Sequence, residues 1–217
     1  MKVVGLDSGR VALLVDLVEL VPIGGMHDDE VNHTLQQKYN FAVVSPAKEG
    51  GPLLRFERGR APDGKPLAFF EVHPQGLVAQ AADTRTADGF LADVLAFCEK
   101  TLGLREPTLS KKVYNSSLVV EFETDIGGLL TKSKALFALF GSQLKTLYGI
   151  DLPPALQRLT LKPDTERLPP RLGGLLSEFT LERRIFAPFE THRFYSTAPL
   201  PTDKHIELLK RVEELAL

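Results

Sequence analysis

The sequence predicts an α+β protein made of two β-α-β-β-β(β)-α units, with an antiparallel sheet and helices on one face. Three observations carry this. Short apolar runs bounded by Gly, Pro and Asn recur along the chain and read as strands. Each half holds two segments with apolar residues spaced three and four apart, as helices require. Landmarks of the first half reappear in the same order in the second. Ile23-Gly24-Gly25 is matched by Ile126-Gly127-Gly128, and Tyr39-Asn40-Phe41 by Tyr148-Gly149-Ile150. Gly51 to Phe56 is matched by Gly174 to Phe179, and Thr86 before Phe90-Leu91 by Thr202 before Ile206. Drift in the offsets is what loops of unequal length produce.

In the first half, Val11 to Val21 is rich in Val and Leu and reads as a strand. Asp28 to Tyr39 reads as a helix with Val31, Leu35 and Tyr39 on one face, and Asn40 is placed to end it in the left-handed conformation. Phe41 to Ser45 is a strand closed by Pro46, and Leu53 to Arg60 is another. In Pro62-Asp63-Gly64, Pro fixes φ and Gly accepts a positive one, so a turn follows. Leu67 to His73 and Leu77 to Ala82 are strands around Pro74-Gln75-Gly76. Thr86 then caps a helix that turns Phe90, Leu91, Val94, Leu95, Cys98 and Leu102 inward and ends at Gly103.

The second half repeats the order. Val113 to Glu123 is a strand, with Leu118, Val120 and Phe122 alternating against Val119, Glu121 and Glu123. Leu129 to Tyr148 is a helix ended by Gly149. Ala155 to Lys162 is a strand with Leu159 and Leu161 on one face and Arg158, Thr160 and Lys162 on the other. Leu176 to Phe186 and Glu190 to Thr197 are strands, and Thr202 caps a helix with Ile206, Leu209, Val212 and Leu215 inward. Residues 1–105 and 106–217 are the expected repeats. Each is large enough for a core, and the joint at Arg105-Glu106-Pro107-Thr108 is too short for a loose tether, so one pseudo-symmetric body is expected. This order of elements resembles the duplicated saddle of the TATA-binding protein and its fold relatives. The resemblance covers topology over most of the chain and no motif, so DNA binding does not follow from it.

Charge narrows the function classes. The 217 residues hold 26 Lys and Arg against 28 Asp and Glu, a net of −2. Through Arg105 there are 11 basic and 14 acidic residues, and beyond it 15 and 14. Neither half is a phosphate sink. No apolar stretch reaches the roughly 18 residues of a spanning helix, Met1 to Ser8 lacks a signal peptide's apolar run, and Cys98 is the only cysteine. A soluble, cytoplasmic chain without cofactor is expected.

Catalytic signatures are sparse. His27 and His33 flank Asp28-Asp29-Glu30, but a spacing of six misses the i, i+4 geometry of a helical metal pair, so no metal site is expected. Cys98 sits between Leu95 and Leu102 on an apolar face, where a thiol is inert. The sequence has no nucleophile elbow, phosphate loop or dinucleotide fingerprint. The glycine pairs before helices read as turns, Asn32-His33-Thr34 and Asn115-Ser116-Ser117 as chance glycosylation matches, and His205 as a surface residue.

Arginines near aromatics are more informative. Arg55, Arg58 and Arg60 share one strand. Arg183, Arg184, His192 and Arg193 lie near Phe186, Phe189, Phe194 and Tyr195. Such mixtures suit protein interfaces and also stacking on single-stranded nucleic acid. Strict alternation puts Phe179, Leu181, Arg183 and Ile185 on one face and Glu182, Arg184 and Phe186 on the other, so one arginine sits awkwardly unless the strand bulges. The candidate partner-binding residues are Arg184, Arg193, Phe186, Tyr195, His192, Arg158 and Lys162, with the Pro-containing loop Lys162 to Arg171 as an accessory contact. The leading expectation is a non-catalytic binding or scaffold protein that meets a protein partner through its sheet. The alternatives are nucleic-acid binding through the open sheet face, and an enzyme assembled from scattered strand residues with Glu71, His73 or His192 as base.

Overall fold

The computed structural model describes residues 1–20, 28–46, 51–105, 110–126, 157–162 and 176–216, with isolated positions 129, 138, 142, 145 and 146. Its elements are β1 (Lys2–Leu14), α1 (Leu17–Leu20), α2 (Asp28–Lys38), β2 (Val43–Pro46), β3 (Leu54–Arg60), β4 (Pro66–His73), β5 (Gly76–Ala81), α3 (Thr84–Leu102), β6 (Lys111–Glu121), β7 (Arg158–Leu161), β8 (Phe179–Arg183), a 3-10 turn (Phe189–Thr191), β9 (Arg193–Ala198) and α4 (Thr202–Ala216). The strands form one sheet in the order β2-β3-β4-β5-β1-β6-β9-β8-β7. Every neighbouring pair is antiparallel. The protein is thus α+β. No helix among the described residues is long and apolar enough to cross a membrane.

The first strand departs from expectation. It begins at Lys2 and ends at Leu14, whereas the Val-rich reading placed it over Val11 to Val21. Gly5, Asp7 and Gly9 break the apolar alternation. The register against β6 also shifts twice, between Val3 and Gly5 and between Leu6 and Ser8, so apolar residues change phase along the strand. Beyond Leu14, Asp16 accepts a hydrogen bond from the Val18 N–H at 3.1 Å, which starts α1 instead of prolonging the strand.

Other termini follow their residues. Asn40 takes φ 53° after α2, Gly64 takes φ 80° in the Pro62–Gly64 turn, and Gly103 takes φ 66° after α3. The cap of α3 is Asp83, not Thr86. Asp83 accepts from the Thr86 N–H at 2.8 Å and from the Thr86 hydroxyl at 3.1 Å, and Thr86 lies within the first turn.

Two cores lie under the helices on one face. In the first, Tyr39, Phe41, Phe56, Phe70 and Phe90 interlock with ring centroids 4.9 to 6.5 Å apart. Leu91, Val94 and Cys98 close it from α3. In the second, Leu118, Val120 and Phe122 of the β6 segment meet Leu181, Phe194, Leu209 and Val212, as the alternation predicts. Leu215 does not join them. It is 75% exposed in the last turn of α4.

His205 is also misplaced by the sequence reading. It is fully buried, with Nδ1 2.8 Å from Ser116 Oγ and Nε2 2.9 Å from Ser196 Oγ. Burial among neutral groups pushes its imidazole down to about 4.

Reading outward from the central β1–β6 pair, β5, β4 and β3 on one side face β9, β8 and β7 on the other. The rows Gly9–Ala81 and Ser116–Ala198 correspond, as do Phe70–Ala79 and Leu181–Ser196. Two landmark matches move accordingly. Phe179, in β8, occupies the place of β4 and not of the β3 residue Phe56. Thr202 corresponds to Thr84, the first residue of α3, and not to Thr86. The second-half helix expected over Leu129 to Tyr148, apart from isolated positions, and the matches at residues 23–25, 127–128, 148–150 and 174 lie outside the described residues.

Two outcomes follow. Cys98 is buried and its thiol is pushed up to about 11 by burial, so native protein is expected to react with a thiol reagent far more slowly than urea-unfolded protein. Rapid stoichiometric labelling of the native chain would contradict that packing. For His205, the unfolded imidazole binds its proton near pH 6.5 and the folded one near 4. Its contribution is therefore complete above about pH 6.5 and falls by about 3 kcal/mol as pH drops toward 4. Urea titrations between pH 4.5 and 7.5 are expected to show this slope in the wild type and a shallower one in His205→Gln.

Candidate interaction surface

Residues paired across antiparallel strands point to the same side of the sheet, so the register assigns the face opposite the helices. One central row there is Val78–Ala12–Val113, and the next is Phe69–Gln80–Arg10–Asn115. Farther out on the second half lie Val119 with Tyr195 and Glu182, and Glu121 with Arg193.

The middle of this face is not bare. Ala12, Val78 and Val113 are buried, and Leu176, on the segment entering β8, packs against them beside Leu14 and Phe69. The chain covers the apolar centre of its own open face.

Three arginines on this face are matched by register, whereas Arg10 stands between Gln80 and Asn115 with its guanidinium 6.0 Å from the Phe69 centroid. Arg55 stands opposite Glu71, Arg158 opposite Glu182, and Arg193 opposite Glu121. Arg193 Nη2 is 2.9 Å from Glu121 Oε2, and Arg158 Nε is 3.9 Å from Glu182 Oε2. Arg55 donates to Glu71 and, at 2.6 Å, to Glu57, while its guanidinium stacks 4.3 Å from the Phe69 centroid. Arg55, Arg58 and Arg60 do not form the shared patch their spacing promised. Arg58 sits at φ 57° in an irregular stretch of β3, and Arg60 donates to the Gly64 carbonyl at 3.1 Å.

The β8–β9 turn resolves the conflict between Arg183 and Arg184 by ending the strand, not by bulging it. Alternation holds through Arg183, which is buried on the helix side with its guanidinium 4.7 Å from the Phe194 centroid and Nη2 3.4 Å from Asp125. Arg184 follows the strand, is exposed, and donates its N–H to the Arg193 carbonyl at 3.0 Å. Ile185 and Phe186 stand 81% and 99% exposed. Alternation groups Ile185 with Phe179 and Leu181, but the turn removes it from that face. Tyr195 is half-buried, and its hydroxyl donates to Asp7 Oδ2 at 3.1 Å.

A shallow hollow of about 530 Å³ is lined by Glu182, Arg183, Arg184, Ile185, Phe186, Ala187, Arg193 and Tyr195. It gathers four of the seven sequence candidates: Arg184, Arg193, Phe186 and Tyr195. Arg158 and Lys162 lie exposed on and just past β7, away from its lining. His192 is also apart. It is half-buried at φ 47°, its carbonyl accepts from the Phe122 N–H at 3.1 Å, and its Nδ1 has no partner among the described residues. Sequence reasoning missed Glu182, Arg183, Ile185 and Ala187 as lining residues. The accessory loop Lys162 to Arg171 is outside the described residues beyond Lys162.

The alternative catalytic groups divide likewise. His73 Nε2 lies 3.2 Å from Glu71 Oε2, on a carboxylate already held by Arg55, and His192 is in the other half. A second cavity, of about 280 Å³, lies between α2, α3 and the sheet and is walled by apolar side chains with Asn32 and Cys98. Among the described residues no three metal-ligating side chains converge.

Truncating Leu176 to Ala is expected to cost about 1–2 kcal/mol through lost apolar burial, read by urea unfolding. An unchanged midpoint would mean that its contact with Ala12, Val78 and Val113 is not maintained in solution.

No protein-family model and no curated protein matches the chain. Among solved structures, the Methanococcus jannaschii TBP is similar over 99% of this chain and 97% of its own, with 10% sequence identity and a TM-score of 0.45.

Proposed function

We propose that the chain is a non-catalytic binding or scaffold protein that contacts a protein partner through its sheet surface, at the second-half end around the β8–β9 turn. The observation that carries this reading is the company kept by the arginines. On the open face Arg55, Arg158 and Arg193 each stand opposite a glutamate, which leaves Arg10, between Gln80 and Asn115, as an isolated arginine there and not part of a row that would track a phosphate backbone. Ile185 and Phe186, by contrast, stand 81% and 99% exposed side by side and adjoin Arg184 and Tyr195, the residue mixture of interface hot spots. The two halves, 1–105 and 106–217, act on this reading as one rigid platform joined through β1 and β6.

The test compares wild-type chain with Arg184→Ala/Arg193→Ala in capture from host-cell lysate, followed by titration of the captured protein. Stability is expected to change by about 1 kcal/mol or less, because Arg184 is exposed and the Arg193 pair is half-exposed. Partner binding is expected to weaken by about 2 kcal/mol or more. Undiminished binding moves the interface elsewhere. Titration with a single-stranded oligonucleotide at low and moderate salt separates the classes. Tight binding that falls steeply with salt supports the nucleic-acid reading instead.

A further inference from the structure

We propose that the hollow at the β8–β9 turn docks an extended or helical peptide segment of the partner in which a carboxylate lies beside a bulky apolar side chain. This rests on the protein-partner reading and specifies its chemistry.

The turn presents its apolar pair on a fixed backbone. The Arg184 N–H is held by the Arg193 carbonyl, the Ala187 N–H by the Arg184 carbonyl at 3.3 Å, and the Thr191 hydroxyl by the Pro188 carbonyl at 2.7 Å. Ile185 and Phe186 are therefore displayed by a constrained loop, which lowers the ordering cost of binding. A fully exposed Phe offers a large apolar face, and Ile185 beside it makes a ledge for one bulky partner side chain.

Charge then selects the neighbour of that side chain. The lining holds three guanidiniums and one carboxylate. Arg183 is engaged by Asp125 and the Phe194 ring, and Arg193 by Glu121. Arg184 is exposed and forms no ion pair with a described residue. One uncommitted fork of N–H donors beside an apolar ledge matches one carboxylate beside one apolar group. A nucleic-acid strand carries a charge on every nucleotide and would require a row of free cations, whereas the lining offers one arginine without an ion pair to a described residue.

The probes are a fluorescein-labelled peptide alternating Asp and Glu with Phe and Leu, its counterpart with Lys in place of the acids, and an oligothymidylate. Each is titrated into the full chain by anisotropy. The acidic peptide is expected to bind at least about tenfold more tightly than the basic one. Arg184→Glu and Phe186→Ser are each expected to weaken it about tenfold or more, while Lys210→Glu, on the exposed side of α4, leaves it unchanged. Equal affinity for the two peptides, no binding, or indifference to both hollow variants would overturn the proposal. So would oligothymidylate binding with the same dependence on Arg184, or a concentration-dependent dimer by sedimentation that Phe186→Ser abolishes. If lysate capture depends on the hollow but the acidic peptide is not preferred, the peptide chemistry fails and the protein-partner reading stands. If capture ignores the hollow, both fail.

Discussion

Two helices begin face to face over the middle of the sheet, and each is capped by the other's threonine. The Thr84 N–H donates to Thr202 Oγ at 3.0 Å, and the Thr202 N–H donates to Thr84 Oγ at 2.8 Å. Two helix N-termini brought together oppose their positive dipole ends. Reciprocal hydroxyls satisfy one orphan donor on each, and the Asp83 carboxylate beside them supplies negative charge. The approach also constrains the sheet below. A Cβ on Gly9 would lie 2.2 Å from the Thr84 nitrogen, so β1 must present glycine there for α3 to start where it does. The starts of α3 and α4 and the middle of β1 are thereby fixed against one another.

The pseudo-symmetry is kept in the backbone and broken in the chemistry just beneath that point. Gly9, Ala79 and Ala87 of the first half correspond to Ser116, Ser196 and His205 of the second. One side packs small apolar residues and the other a buried imidazole between two hydroxyls. Protonating His205 would place a cation in the first turn of α4, next to two positive helix ends and with no carboxylate bonded to it. Desolvation and the helix dipole act in the same direction, and the ring stays neutral.

Most of the element order was legible because strands and helices leave different periods. The alternation of Leu118, Val120 and Phe122, the Asn40 and Gly103 helix ends and the Pro62–Gly64 turn all sit where their local chemistry put them. What escaped was set by long-range constraint. The start of β1 was hidden because Gly9 answers to a helix 75 residues away and two register shifts scramble the apolar phase. His205 escapes for a related reason. A polar residue in the first turn after Thr202 reads as a surface one, whereas pairing Thr202 with Thr84 sets His205 opposite the buried Ala87 and aligns Leu91 with Leu209 and Val94 with Val212. At the candidate surface, the arginine-aromatic mixture was visible in the sequence, but the choice between Arg183 and Arg184 was not. It depends on where β8 stops, which the turn decides.

Register is also what gives the open face its character. Each of Arg55, Arg158 and Arg193 faces a glutamate only because its strand pairs in this frame, and a slip of one residue would send both partners of a row to opposite faces. The same register leaves Asp7 as the extra residue at the second shift of β1, where it accepts the Tyr195 hydroxyl. An irregularity in the first strand thus steadies one wall of the hollow in the last hairpin, across the β1–β6 junction. The surface at β8–β9 is therefore not an appendage of the second half. Its Arg193 is paired by Glu121 of β6, its tyrosine is held by an aspartate of β1, and among the described residues Arg184 with its two exposed apolar neighbours is the part of that network left unengaged.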